Sequence, residues 1–121
     1  MLAAALFLAA AVVHGESPLA CNRAALSDAE RRRHSDELGP ALRGLVKHSR
    51  EVRDGYEFEF PADVASFRLV AEWMAGEHLC CPFFDIVLVQ EREGATLRMR
   101  LTGRKGVKQF IKADLGRWIR Q

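Results

Sequence analysis

Asp54-Gly55-Tyr56-Glu57-Phe58-Glu59-Phe60-Pro61 carries the clearest structural signal in the chain. Tyr56, Phe58 and Phe60 alternate with Glu57 and Glu59. An extended strand therefore puts three aromatic rings on one face and two carboxylates on the other. That is the pattern of a half-buried strand in an antiparallel sheet. Asp54-Gly55 is a favoured two-residue hairpin turn, which assigns the partner strand to residues 47–53. Pro61 ends the strand, because it lacks the N–H that a ladder needs.

Downstream of Pro61, Asp63 or Ala62 opens a predicted helix that runs to Cys80. Val64, Phe67, Ala71, Met74, His78 and Cys81 recur at alternating steps of three and four, with Val70 beside them. That spacing predicts the buried stripe of an amphipathic helix. Pro82 stops it by pushing the preceding residue out of the helical region. Residues 84–91 read as a strand, Glu93-Gly94 as a turn, and residues 96–101 as a second alternating strand. There Leu97, Met99 and Leu101 point inward, and Arg98 and Arg100 outward. Gly103 and Gly106 bracket a loop. The last helix carries Val107, Phe110, Ile111, Leu115 and Ile119 on one face.

Upstream of the hairpin, Ser27 with Glu30 three residues later reads as a capping box, and Leu26 as its hydrophobic staple. That helix is expected to reach Leu38 and to be interrupted by Gly39-Pro40. A second short helical piece then begins at Ala41 and gathers Leu42, Leu45 and Val46. The predicted order is α–ββ–α–ββ–α. The fold class is α+β: an antiparallel sheet of about four strands in two hairpins, with helices packed on one face.

The 121 residues, 49% apolar and 28% charged, suit one ordinary globular domain rather than a disordered chain. Residues 2–13 are almost purely apolar. That run is too short to span a bilayer, which takes about 20 residues, and it matches the core of a secretory signal. Residues 1–15 are therefore expected to be a signal peptide cleaved before Glu16, although no Lys or Arg precedes the run. Residues 16–121 then form a single domain with no transmembrane span, periplasmic or secreted. Without cleavage the expectation is a cytoplasmic protein. The net charge of +2 names no partner. Basic residues crowd the C-terminal quarter, yet no helix-turn-helix, zinc-finger or RNA-binding motif accompanies them. A solvated face is expected there rather than a nucleic-acid surface.

Glu77-His78-Leu79-Cys80-Cys81-Pro82-Phe83-Phe84-Asp85 is the stretch with chemical potential. Adjacent cysteines at a helix end can present thiolate sulfur to a soft metal such as Hg(II), Cu(I) or Zn(II). Cys80, Cys81 and Cys21, with His78 or Glu77, supply three or four candidate ligands. Neighbouring residues on a helix diverge by about 100°, so both sulfurs meet one ion only if the helix unwinds near Pro82. Cys80 shares its helix face with Glu77 and Trp73, whereas Cys81 falls on the apolar stripe. His78 falls there too, which suits a core histidine as well as a ligand. His34 and His48 have no neighbouring constellation that specifies a site. Two plainer readings stand beside the metal: cysteines that only pack, and a disulfide from Cys21 to one member of the pair, leaving one odd thiol. A redox-active nucleophile is disfavoured. The pair sits at a helix C-terminus beside a carboxylate, and there is no C-x-x-C.

Cys21-Asn22, Cys80-Cys81-Pro82-Phe83-Phe84, and the closing stretch from Leu101-Thr102-Gly103 through Gly106-Val107-Lys108 to Phe110 together resemble a family of small bacterial proteins of unassigned function. The resemblance spans about residues 20–115. It implies that Cys21, Cys80 and Cys81 belong together, and it carries a loose association with heavy-metal response. The expected function is capture of a soft metal ion, or another small thiol-reactive ligand, by an exported domain. One alternative is a structural or interaction domain with packed or paired cysteines. Another is a thiol-dependent enzyme acting on a metal or organometal substrate, with Asp85 as proton donor.

Overall fold

The computed structural model describes residues 15–120. The leader reading falls, except for Gly15, on residues outside that range. The α+β expectation holds. Strands β1 (His48–Val52), β2 (Gly55–Phe60), β3 (Asp85–Gln90) and β4 (Leu97–Thr102) form one antiparallel sheet in the order β1-β2-β4-β3. Tyr56 pairs with Leu101, Phe58 with Met99 and Phe60 with Leu97. The two alternating stretches therefore share one apolar face at the centre of the sheet. Phe58, Leu97, Met99 and Leu101 are 0% exposed there.

The opposite face is charged. Glu57 is buried, and accepts from Arg50 at 3.0 Å and Arg100 at 3.2 Å, with Arg98 at 3.6 Å. Burial opposes its charge. The hydrogen bonds from Arg50 and Arg100 outweigh that and hold the carboxyl below the usual range. Lys108 meets Glu51, and Arg104 donates to the Ser17 carbonyl. Much of the basic C-terminal quarter is thus engaged within the domain.

The hairpin turn falls one residue earlier than expected. Val52 pairs with Gly55, so Arg53-Asp54 forms the turn and Gly55 opens β2. The glycine is needed for approach rather than for the turn: a Cβ at Gly55 would lie 1.9 Å from the Leu101 carbonyl oxygen.

The capping box forms as expected. Ser27 Oγ accepts from the Glu30 N–H, and Glu30 accepts from the Ser27 N–H. The predicted break at Gly39-Pro40 does not occur. Helix α1 (Asp28–Arg31) continues through a π-helical stretch, Arg32–Leu38, into α2 (Gly39–Leu45). The Gly39 N–H reaches back to the His34 carbonyl, five residues away. This wider turn admits Pro40, which sits in the first turn of α2 where a missing N–H is tolerated.

Helix α3 (Val64–Cys80) starts at Asp63, whose side chain caps the Ser66 N–H at 2.8 Å. Its rotation is the main correction. The buried residues are Ser66, Val70, Trp73, Glu77 and Cys80. Val64 is 67% and Phe67 38% exposed, and His78 is exposed. Both faces of α3 carry apolar residues, so period alone does not choose between them. Trp73 decides, because its indole packs on Trp118 and stacks on His34. Helix α4 (Val107–Asp114) and the turn Gly116–Trp118 close the core with Val107, Ile111, Leu115 and Trp118. Among the described residues, no helix is long and apolar enough to cross a membrane.

Candidate metal centre

Helix α3 ends at Cys80. Cys81 leaves the helix with φ −128° and ψ 67°, outside the α region, which Pro82 disfavours for its predecessor. The unwinding that both sulfurs require is therefore present, and they lie 3.7 Å apart. Cys81 is bonded to Cys21 across 60 residues of sequence. The Asn22 N–H donates to the Cys80 carbonyl at 2.6 Å, which fastens the N-terminal arm beside the bridge. Cys80 is the one free thiol among the described residues, and it is buried.

The Cys80 sulfur points into a polar cluster. Glu77, one turn back on the buried face of α3, places Oε2 at 3.8 Å from Sγ. His34, from the π-helical stretch, places Nε2 at 2.8 Å from Glu77 Oε2 and 4.0 Å from Sγ. Cys80, Glu77 and His34 are 5%, 3% and 9% exposed. Burial first, and the Glu77 carboxylate second, push the Cys80 thiol up to about 12. The disfavoured thiolate expected at this helix end is what the structure has. Asp114 adds a further carboxyl, raised by burial. Cys21, Arg31, Ser35 and Asp114 complete a cleft of about 190 Å³ that opens onto Cys80, Glu77 and His34.

Three overlapping candidate ligand triads result. Cys21, Cys80 and Cys81 form one, His34, Glu77 and Cys80 a second, and Cys21, Glu77 and Asp114 a third. In each, the donor atoms lie within 4.8 Å of one another. Of the expected ligands, Cys21, Cys80, Cys81 and Glu77 come together. His78 does not: it faces solvent on the far side of α3. Asp85 is exposed at the start of β3 and lines a separate hollow with Pro82, Phe83 and Arg104. His34 takes the place foreseen for His78. Its signal is the spacing His34, Leu38, Leu42, steps of four that put the imidazole on the buried stripe of its helix.

Gly76 makes room for that imidazole. A Cβ there would stand 2.5 Å from His34 Nδ1. Gly44, in α2, has no atom within 4 Å of its notional Cβ. The same substitution should therefore act with opposite signs at the two sites. Gly44→Ala is expected to stabilise by about 0.5–1 kcal/mol through helix propensity. Gly76→Ala is expected to destabilise by about 1–3 kcal/mol through overpacking, and to displace the ring. Thermal melts of the two variants check this, and a stabilised Gly76→Ala would contradict the packing described. The chain matches no protein-family model, no curated protein and no solved structure.

Proposed function

We propose that this domain captures a metal ion through Cys80, His34 and Glu77. The observation that carries the reading is one buried cluster holding a sulfur, an imidazole nitrogen and a carboxylate oxygen, each within 4.0 Å of the other two. Around a tetrahedral Zn(II), such donors stand about 3.4–3.6 Å apart, from bond lengths of about 2.0–2.3 Å. Shifts of well under 1 Å therefore bring the triad into register, and the cleft leaves the fourth position open. The electrostatics favour the same occupant. Burial and Glu77 push the Cys80 thiol up to about 12, and a bound cation would deprotonate it outright.

With Cys21 and Cys81 bonded to each other, the mixed donor set suits a borderline ion such as Zn(II) better than Hg(II) or Cu(I), which prefer thiolates. Affinity should be modest. Binding through Nε2 moves the imidazole proton to Nδ1, which is buried without a hydrogen-bond partner among the described residues. Histidine ligands that lack such an outer partner bind about 10–100-fold more weakly. This suits capture and release better than a permanent structural ion.

Titration of the oxidised protein with Zn(II), read by native mass and calorimetry, tests the reading. One ion per chain is expected, with a loss of at least about tenfold in each of Cys80→Ser, His34→Ala and Glu77→Gln. Zinc binding that survives Cys80→Ser unchanged would exclude this centre. A second reading is supported by the Cys21–Cys81 bridge alone: a disulfide-tied interaction domain that retains no metal at all.

A further inference from the structure

We infer that the Cys21–Cys81 bridge sets which class of metal the centre accepts: a mixed-donor ion when the bridge is closed, and a soft monovalent ion such as Cu(I), held by three sulfurs, when it is open. The inference rests on the metal-capture reading and adds to it a redox control. Its basis is that one atom, Cys80 Sγ, belongs both to the three-sulfur triad and to the triad with His34 and Glu77. With the bridge intact, the only sulfur free to ionise is that of Cys80, and its partners are His34 and Glu77. Opening the bridge releases two further thiols beside it.

The arrangement of the sulfurs favours a metal over disulfide exchange. Attack by Cys80 on the Cys81 sulfur needs the three sulfurs nearly in line. That would set the outer two about 5.7 Å apart, the 3.7 Å approach plus a disulfide bond of about 2.05 Å. All three sulfurs lie within 4.8 Å of one another, so they form a triangle instead. A three-thiolate centre with bonds of about 2.3 Å needs sulfurs about 4.0 Å apart at the corners of a triangle. Cys80 and Cys81 already stand at 3.7 Å. Only Cys21 must move, once its bond is cut. It is partly exposed, on an arm at the protein surface.

The chemistry balances with an external dithiol or phosphine as reductant. It gives two electrons to the disulfide, which takes up two protons and becomes the Cys21 and Cys81 thiols. A dithiol supplies the two protons and leaves as its own disulfide; a phosphine leaves as its oxide, with water supplying the oxygen and both protons. Capture of Cu(I) then forms three metal–sulfur bonds and releases the thiol protons to solvent.

The test compares the full chain before and after phosphine reduction, under anaerobic conditions, against a chromophoric Cu(I) chelator. X-ray absorption reads the ligand shell. Reduction is expected to tighten Cu(I) by at least about a hundredfold and to give a sulfur-only shell. The Cys21→Ser/Cys81→Ser variant, which keeps His34, Glu77 and Cys80, is expected to stay at the oxidised level whether or not reductant is present. Oxidised wild-type protein supplies the same comparison in a chain with its bridge intact, should the variant fold poorly. Equal Cu(I) affinity in the oxidised and reduced wild-type chains would overturn the inference, as would nitrogen or oxygen in the shell of the reduced complex. Zinc capture by the oxidised form would stand untouched by either result. Loss of zinc capture with a retained sulfur-only Cu(I) site would instead remove the mixed-donor reading.

Discussion

Trp118→Ala is expected to destabilise the domain by about 3–5 kcal/mol, the range for deleting a buried aromatic side chain. The indole is 5% exposed, and its ring lies 4.9 Å from Trp73, 5.8 Å from Phe58 and 6.4 Å from Phe60. It is the only ring that touches both the sheet aromatics and α3 in this cluster. Its loss opens a cavity between layers that neither layer can fill alone. In a domain of this size that corresponds to a drop of about 15–30 °C in melting temperature. Most single domains have only about 5–15 kcal/mol in hand, so the variant should be near the edge of folding. The effect should also reach the centre, because Trp73 is stacked 5.6 Å from His34. Thermal melts together with near-ultraviolet dichroism check this. A loss below about 1 kcal/mol would mean that the indole does not bridge the layers.

Removing the bridge is expected to have a comparable effect by a different route. The Cys21–Cys81 bond closes a loop of 60 residues. In the chain-entropy account such a loop contributes about 4 kcal/mol by restricting the unfolded chain. Cys21→Ala/Cys81→Ala should lose most of that and become insensitive to reductant. Wild-type protein should fall towards the same stability once reduced. Hydrogen exchange should show the arm around residues 17–22 losing protection first, since only the Asn22-to-Cys80 hydrogen bond, the Arg104 contact and Leu19 packing would then hold it. A reduced wild-type chain as stable as the oxidised one would contradict the loop-closure account.

The sheet was legible because strict alternation leaves one answer. Once Tyr56, Phe58 and Phe60 face inward, Leu97, Met99 and Leu101 must join them, as the register confirms. Helix ends were legible for a similar reason: Ser27, Asp63 and Pro82 act through local hydrogen bonds and sterics. The rotation of α3 was not, because Val64, Phe67 and Met74 on one side compete with Val70, Trp73 and Leu69 on the other. Choosing between the two sides depends on what the rest of the chain offers as a partner. The buried side carries Glu77 and Cys80, which hydropathy counts against burial. The same rotation removed His78 from the centre and kept Glu77 in it. His34 is 43 residues from Glu77 in sequence, and only the packing of two helices makes them neighbours. No spacing rule reaches that far. The disulfide was among the sequence alternatives, but its choice of Cys81 over Cys80 depends on the unwinding at Pro82.

The π-helical stretch Arg32–Leu38 bears on how this centre could be kept or lost. A π-turn holds one residue more than the α-turn it replaces. Deleting a single residue between His34 and Leu38 would therefore let the rod run as plain α-helix with His34 still close to the face of Leu38 and Leu42, because the wide turn is what absorbs the extra residue. Helix α3 has no such turn: deleting one residue between Trp73 and Glu77 would rotate Glu77 and Cys80 by about 100° relative to Trp73 and away from His34. Chain length thus bears on the two helices unequally, with a spare residue in the first and none in the second.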